Sequence, residues 1–181
     1  YGGTIKANVT NVPAVGTNSI SYQWQYSNDG KTWNDTRLNG GNTSSLVLSA
    51  VSCVGTQYRC VISVDSSYYI VPGCTTAGVK VGKASAQVVA KASGEAVAGK
   101  KLTAAVSSLP TVGGTNNVTY QWQYSDGKTW RSSALTGANT STLCLYDDSD
   151  VTHSMIGVSY RCVVSVSGNS AYDIKSATSN V

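Results

Sequence analysis

A short aromatic segment occurs twice in the chain without change. Residues Tyr22–Tyr26 and Tyr120–Tyr124 both read YQWQY, so that aromatic side chains alternate with glutamines. Alternation with a period of two residues is the pattern of a β-strand with one buried face. It predicts that the central residues, Trp24 and Trp122, are core anchors of two related β domains.

The length of the chain fits two such domains. Its 181 residues form two halves of roughly 90 residues each, which is close to a common domain size. The matching segments place the first domain at residues 1–82 and the second at residues 83–181, with a short linker at Gly82–Ser85. The first domain has no counterpart of the strand predicted at Ala86–Ala90. We therefore expect it to lack its N-terminal strand, strand A, as a piece cut from a larger protein would.

The composition is that of a β protein with an uncharged polar surface. Only 12% of the residues are charged, glycine is abundant at 18 residues, and no segment has the pattern of a long amphipathic helix. The net charge of +4 is spread thinly over both halves, whereas nucleic-acid binding requires a concentrated basic surface. No apolar segment is long enough to cross a bilayer. We expect an all-β chain with no nucleic-acid partner and no membrane insertion.

An Asp-Gly turn follows each YQWQY segment, at Gly30 and at Gly127. Because glycine tolerates the positive φ of a tight turn, this dipeptide between two aromatic strands predicts a β-hairpin. The returning strands carry Trp33 and Trp130. We expect these two tryptophans to cover an edge of the core.

Further along, each half contains a predicted strand that begins with Tyr-Arg-Cys-Val. In both halves this strand follows another with the pattern Leu-x-Leu. Tyr-x-Cys at the start of a strand, downstream of a strand that carries tryptophan, is the tyrosine corner of an immunoglobulin sandwich. We expect the hydroxyls of Tyr58 and Tyr160 to bond the backbone, and Cys60 and Cys162 to point into the core. The sequence thus predicts two tandem immunoglobulin-like β-sandwich domains.

The chain has five cysteines, so at least one is unpaired within it. The strand that would supply the partner of an inter-sheet disulfide carries only alanine and valine at its inward positions in both halves. We therefore expect Cys60 and Cys162 to be buried free thiols that act as small apolar residues. Cys53 and Cys74 occur only in the first half; a bridge between Cys74 and another first-domain cysteine stays open, and Cys144 is expected to face outward.

The combination of Tyr-Gln-Trp-Gln, Gly-Lys-Thr-Trp, Leu-x-Leu and Tyr-Arg-Cys-Val, present twice, resembles a known family. These motifs are similar to those of the immunoglobulin-like repeats of large surface proteins of Gram-positive bacteria, gut Firmicutes in particular. The resemblance covers nearly the whole chain. It implies an extracellular location, on the bacterial surface or secreted, and a role as adhesin module, spacer or appendage of a secreted enzyme.

Residues for catalysis or metal binding are scarce. His153 is the only histidine and lies in a polar insertion of the second half beside Asp147, Asp148 and Asp150, with no nucleophile motif nearby. These aspartates lack the spacing of a calcium loop, although calcium stays an alternative. The only glutamate, Glu95, has no second carboxylate to pair with for glycoside chemistry. We expect no enzyme activity, no cofactor and no metal.

The surfaces that differ between the halves are the candidates for binding. Tyr68, Tyr69 and Ile70 form an aromatic and aliphatic segment at the loop end that antibodies use for recognition, where the second half has only Tyr172. Met155–Ile156, in the insertion of the second half, is a second apolar pair on a polar surface. The alternative is that the tyrosines pack on their own hairpin. The glutamines of the YQWQY strands face outward, and we expect them mainly to solvate the sheet.

These features indicate a non-catalytic recognition module that binds a host macromolecule. The resemblance implies a mucosal protein or glycoprotein as partner, with host immunoglobulin bound in the manner of a superantigen among the options. One alternative is a passive spacer or stalk in a larger surface protein. Another is a carbohydrate-binding module, in which Trp33, Trp130, Tyr68 and Tyr69 stack on sugar rings.

Overall fold

The computed structural model describes residues 1–12, 14–145 and 157–180, and they form a β protein. The chain divides into two compact units, Tyr1–Ala84 and Ser85–Val181. Apart from a single 3₁₀ turn at Val51–Cys53, the regular structure of the described residues consists of β-strands. The all-β class predicted from the composition is therefore confirmed, and the several sheets are consistent with a β-sandwich.

The first unit contains two sheets. Its strands are β1 (Thr4–Lys6), β2 (Asn18–Ser27), β3 (Asn34–Asp35), β4 (Ser45–Val47), β5 (Gln57–Ser66), β6 (Cys74–Thr75) and β7 (Val79–Lys80). One sheet pairs β1 with β4, and the other has the order β3-β2-β5-β6, with β7 also pairing with β5.

The second unit repeats this arrangement with additional strands. They are β8 (Ala84–Gln87), β9 (Val89–Ser93), β10 (Lys101–Ser107), β11 (Asn117–Ser125), β12 (Trp130–Ser132), β13 (Thr142–Cys144), β14 (Ser159–Ser167), β15 (Tyr172–Lys175) and β16 (Ala177–Thr178). The sheet orders are β13-β10-β9 and β12-β11-β14-β16, and β15 pairs with β8. The single strand predicted at Ala86–Ala90 is thus divided between two partners, with the buried Val88 at the break.

The YQWQY strands have the predicted inner and outer faces. Trp24 is 2% exposed and Trp122 is fully buried, and each lies at the centre of its unit's hydrophobic core. Both indole N–H groups are satisfied: Trp24 Nε1 donates to the Thr43 carbonyl oxygen at 2.8 Å, and Trp122 Nε1 donates to the Thr140 carbonyl oxygen at 3.0 Å. A buried indole needs such a partner, because an unsatisfied polar group in the core is costly.

The carbonyl groups that accept these bonds lie in a glycine-dependent turn. Gly40 and Gly137 have φ of +87° and +85°, a left-handed conformation that favours glycine. A Cβ at Gly40 would collide with the Ser45 carbonyl oxygen, and a Cβ at Gly137 would collide with that of Thr142. At these two positions the backbone of the turn therefore lies too close to the next strand for any residue other than glycine.

The tyrosines and cysteines after these turns are buried as a group. Cys60 and Cys162 are free thiols without exposure to solvent, and Tyr58 and Tyr160 are almost fully buried beside them. The structure contains no disulfide: Cys53 is also buried and free, Cys74 is exposed and Cys144 is half-buried. The bridge between Cys74 and another first-unit cysteine is therefore not formed.

Among the described residues, neither tyrosine hydroxyl makes the expected hydrogen bond to the backbone. The Tyr58 hydroxyl bonds to the thiol of Cys53, which the 3₁₀ turn places at the end of the core. The Tyr160 hydroxyl is buried and has no hydrogen-bond partner among the described residues. Packing, rather than a corner hydrogen bond, holds both rings in that part of the structure.

Candidate functional site

The first unit presents an apolar segment to solvent at the end of β5. Tyr68 is 73% exposed, Tyr69 is 52% exposed and Ile70 is fully exposed, and Val15 of the neighbouring loop is 60% exposed. Isolated apolar side chains are common on protein surfaces, whereas a contiguous group of them is less common. We call Tyr68–Ile70 the recognition segment.

Local hydrogen bonds set the position at which this segment leaves the sheet. Pairing of β5 with β2 ends at Ser66, opposite Asn18. Just beyond it, the Ser67 N–H donates to the Thr17 carbonyl oxygen, and the Thr17 N–H donates to Ser67 Oγ, both at 3.2 Å. The Tyr68 ring then packs so closely over Gly16 that a Cβ there would collide with it. One edge of the ring is therefore fixed by the backbone, while the rest of it faces solvent.

The corresponding loop of the second unit is polar and tightly bonded. Asn169 is 3% exposed, and its Nδ2 donates to the Val112 carbonyl oxygen at 2.9 Å. Its Oδ1 accepts the N–H groups of Ala171 and Tyr172. The Ser170 N–H and hydroxyl both donate to the Gly113 carbonyl oxygen. This loop is closed by its own hydrogen bonds, and the two units differ most clearly at this position.

The other residues predicted to bind a partner are either half-buried or outside the described residues. Tyr172 lies half-buried in β15, next to the asparagine-bonded loop, and is less accessible than the tyrosines of the first unit. Met155 and Ile156 lie outside the described residues, as do His153, Asp147, Asp148 and Asp150. The recognition segment is therefore the part of the predicted site that the structure describes as an exposed apolar surface.

Each unit also carries a stacked arginine and tryptophan on the outer face of the sheet that contains the YQWQY strand. The Arg59 guanidinium carbon lies 4.3 Å from the centroid of the Trp33 ring. Arg59 Nε donates to Gln25 Oε1 at 2.9 Å, and Gln25 Nε2 donates to Asp35 Oδ1 at 3.0 Å. The second unit repeats the stack with Arg161 over Trp130 at 4.1 Å and with Gln123, whose Oε1 accepts from Arg161 Nε at 2.8 Å.

This stack differs from what the sequence predicted for the tryptophans and glutamines. Trp33 and Trp130 are half-buried but belong to neither core cluster, because the guanidinium groups cover them on the outer face. Gln25 and Gln123 orient those arginines, and Gln23 and Gln121 donate to the carbonyl oxygens of the adjacent tryptophans. The glutamines therefore order the outer surface of the sheet in addition to solvating it.

The titratable groups with shifted pKa values are structural. Burial raises the pKa of the Cys60 and Cys162 thiols and of the Tyr160 hydroxyl, and burial followed by the contact with Cys53 raises the pKa of Tyr58. These groups stay protonated at neutral pH. Asp29 has a lowered pKa because its carboxylate accepts the N–H groups of Thr32 and Lys31 in the hairpin turn.

The described residues offer no cluster of three or more histidine, cysteine, aspartate or glutamate side chains that could hold a metal ion. Glu95 forms an exposed ion pair with Lys100, with 4.0 Å between Oε2 and Nζ. Within residues 1–12, 14–145 and 157–180, no helix is long and apolar enough to cross a membrane.

Comparison with known proteins gives no assignment. No protein-family model matches the chain, and the search of curated proteins finds no relative.

Proposed function

We propose that the chain is a non-catalytic recognition module that binds a host macromolecule through the recognition segment of its first unit. The observation that carries the proposal is the exposure of Tyr68, Tyr69 and Ile70 at the end of β5. Tyrosine combines a large apolar surface with a polar hydroxyl and loses little conformational entropy on binding, which suits it to protein recognition.

The proposal includes the immunoglobulin-like fold for both units. Three features support it: a buried tryptophan opposite a buried cysteine, a tyrosine two positions before that cysteine, and core clusters built from the side chains of two sheets. In such a fold the loop after β5 lies at the end used for binding in antibodies. We further propose, from the resemblance to repeats of Gram-positive surface proteins, that the module acts on the bacterial surface or as a secreted protein.

The partner class follows from the chemistry of the segment and from that resemblance. Two exposed aromatic rings beside a fully exposed aliphatic side chain fit a protein surface with an apolar depression better than a charged polymer. We propose a host mucosal protein or glycoprotein, and host immunoglobulin is the first partner to test.

A carbohydrate ligand is a second candidate, because exposed tyrosine rings also stack on sugars. The rings that support this alternative are those of Tyr68 and Tyr69, since Trp33 and Trp130 are half-buried and each has an arginine on one face. A passive spacer would require no exposed segment of this kind, and it is the outcome expected if no partner is found.

The experiment is capture of host proteins by the immobilised 181-residue chain, together with a glycan array. The test variant carries Tyr68→Ser, Tyr69→Ser and Ile70→Ser, and the matched control carries Val112→Ser and Tyr172→Ser on the corresponding surface of the second unit. We expect a purified immunoglobulin or mucin to bind the original chain and the control, and the test variant to lose roughly tenfold or more in affinity. Binding that survives the triple substitution, or no binding by the original chain at micromolar concentration, would contradict the proposal.

A further inference from the structure

A cavity of the first unit lies at the end of the β2 and β5 pair that is opposite the recognition segment. Pairing of these strands runs from Asn18 with Ser66, next to that segment, to Ser27 with Gln57. The cavity lies at the second of these ends and has a volume of about 390 Å³, within the range of about 300–1,000 Å³ for small-molecule sites. We call it the Arg37 pocket, after the one charged side chain that the described residues contribute to its lining.

The loop after β3 holds the backbone of Arg37 and leaves its side chain free. The Thr36 N–H donates to the Trp24 carbonyl oxygen at 2.9 Å, and the Leu38 N–H donates to Thr36 Oγ1 at 3.2 Å. The residues on both sides of Arg37 are therefore fixed. Arg37 itself is exposed, and its guanidinium has no hydrogen bond, ion pair or ring contact with the described residues.

A buried threonine orders another part of the lining. Thr56 is 7% exposed, and its hydroxyl oxygen lies 3.2 Å from both Asn28 Oδ1 and the Ser52 carbonyl oxygen. These contacts connect the hairpin turn after β2 with the 3₁₀ turn before β5. The Thr56 N–H also donates to the Cys53 carbonyl oxygen at 3.1 Å. The lining is therefore held in place by the fold, as is usual for small-molecule sites.

Three polar groups of the lining have unused hydrogen-bonding capacity. They are Asn28 Nδ2, the Ser52 hydroxyl and the Tyr26 hydroxyl, none of which bonds to another group in the described part of the chain. An amide nitrogen donates, a hydroxyl both donates and accepts, and a guanidinium adds five N–H donors. The pocket thus combines one positive charge with neutral groups that can bond to a polar ligand.

Carboxylates do not neutralise this charge. Among the described residues, none of the side chains that line the pocket is acidic. Asp29, which follows Asn28, accepts backbone N–H groups of its own hairpin turn. Asp35, two positions before Arg37, bonds to Gln25 on the outer face of the sheet. A guanidinium without an ion-pair partner favours an anionic ligand, and its planar fork matches a carboxylate through two parallel hydrogen bonds.

The second unit does not have this chemistry at the corresponding positions. Ala134 is the counterpart of Arg37, because each follows the residue whose N–H donates to the carbonyl oxygen of the core tryptophan. The hairpin turn of the second unit is one residue shorter, and it has Asp126 after the serine where the first unit has Asn28. A methyl group in place of a guanidinium, and a carboxylate in place of an amide, would disfavour an anion.

We propose that the Arg37 pocket binds one sugar acid, whose carboxylate pairs with the Arg37 guanidinium. The hydroxyl groups of the sugar bond to Asn28, Ser52 and Tyr26. One cation matches a carboxylate better than a phosphate group, which carries about two negative charges at neutral pH. The neutral donors and acceptors suit a ligand rich in hydroxyl groups, and the volume of about 390 Å³ accommodates a single sugar residue. This sugar acid is either free or the end of a glycan chain.

The test is titration of the 181-residue chain with glucuronate, followed by isothermal titration calorimetry. Glucose is the matched ligand, because it has the same ring and lacks the carboxylate. We expect a Kd of about 1 mM for glucuronate. Glucose should bind roughly tenfold or more weakly, since it cannot form the charge-assisted pair of hydrogen bonds. A glycan array with glucuronate-terminated and neutral chains distinguishes the two sources of the ligand.

Variants assign the binding to the pocket. Arg37→Ala should weaken glucuronate binding roughly tenfold or more, and Arg37→Lys should lose part of the affinity because it keeps the charge without the fork. Arg131→Ala removes an exposed arginine of the second unit and is the matched control, with unchanged affinity expected. Because the Arg37 side chain is exposed and free, Arg37→Ala should keep the melting temperature of the original chain, which separates lost binding from unfolding.

Glucuronate binding that is lost in Arg37→Ala and retained in Arg131→Ala supports the site, and a signal only on glucuronate-terminated glycans identifies a glycan chain as the source. Equal affinity for glucose, unchanged affinity in Arg37→Ala, or no binding of glucuronate in either form at about 10 mM would overturn it. Equally tight binding of inorganic phosphate would overturn the assignment to a sugar acid. The inference does not rest on the recognition segment, and the triple variant at Tyr68–Ile70 should bind glucuronate normally, so the two proposals fail independently.

Discussion

Trp24 and Cys60 lie directly opposite each other on β2 and β5, and the Trp24 indole N–H is bonded to the Thr43 carbonyl oxygen at 2.8 Å. Trp122, Cys162 and Thr140 repeat this arrangement in the second unit. The indole thus connects two parts of each core: its ring lies in the same cluster as the thiol on the paired strand, and its N–H is bonded to the glycine-dependent turn. The stability of each unit should depend on that single hydrogen bond as well as on the ring.

Replacing Trp24 by phenylalanine should destabilise the first unit by about 2–4 kcal/mol. The substitution removes buried volume and the hydrogen bond from the indole to the Thr43 carbonyl oxygen. Urea unfolding followed by circular dichroism measures the effect. Trp33→Phe is the matched control, because Trp33 lies outside the core clusters and its replacement should cost less than about 1 kcal/mol. Equal losses for the two variants would show that the buried indole has no special role.

Gly40→Ala should be more destabilising than Gly55→Ala. Both glycines have φ of +87°, so the backbone strain added by a side chain is the same. A Cβ at Gly40 collides with the Ser45 carbonyl oxygen, whereas a Cβ at Gly55 has no atom within 4 Å. We expect a loss of about 1–2 kcal/mol for Gly55→Ala from strain alone, and a larger loss for Gly40→Ala. Thermal melts of the two variants test the difference, and equal melting temperatures would exclude close approach as the reason for Gly40.

Much of the β architecture follows from the sequence, because the decisive signals are local. The alternation in YQWQY identifies the inner face of β2 and β11, and the buried Trp24 and Trp122 are at the positions that this alternation indicates. The hairpin after each of these strands was also predicted, from Asp-Gly alone. Short-range chemistry is sufficient for such features, since a turn residue and a period of two act within a few positions.

The features that the sequence did not indicate depend on distant partners. Arg59 lies in β5 and Trp33 lies just before β3, so their stacking can be predicted only once the register of β2, β3 and β5 is known. The Tyr58 hydroxyl is bonded to the Cys53 thiol instead of the backbone, because the 3₁₀ turn brings that thiol close. This turn has no strong sequence signal, so the contact could not be predicted.

The stack of Arg59 on Trp33 should be energetically coupled. A guanidinium over an indole ring at 4.3 Å is in the range of a cation–π contact, which is worth about 0.5–1 kcal/mol on a surface. A double-mutant cycle with Arg59→Ala and Trp33→Ala, measured by urea unfolding, should give a coupling energy of about that size. The same cycle with Arg161 and Trp130 should give a similar value, since the geometry is repeated at 4.1 Å. Coupling energies near zero in both units would show that the stacks do not stabilise the sheets.

The buried thiols should make the chain less stable at alkaline pH. Burial raises the pKa of Cys60 and Cys162 in the folded state, whereas a thiol in the unfolded chain has a pKa of about 8.5. Below that pH both states hold the proton, and the stabilisation is complete. Above it the unfolded state loses its protons first, so the free energy of unfolding decreases until the pH passes the folded-state pKa, by at most about 1.4 kcal/mol per pH unit for each thiol.

Urea unfolding under reducing conditions at pH 7, 8, 9 and 10 measures this decrease, and the variant with Cys60→Ala and Cys162→Ala should show a smaller slope. Thiol labelling of the folded chain at pH 8 provides an independent check, because Cys74 is exposed and should react quickly. Cys60 and Cys162 should react only at the rate at which their units unfold, since both are fully buried. Rapid labelling of either thiol, or an unfolding free energy that does not change between pH 8 and pH 10, would contradict the assignment of Cys60 and Cys162 as buried, protonated thiols.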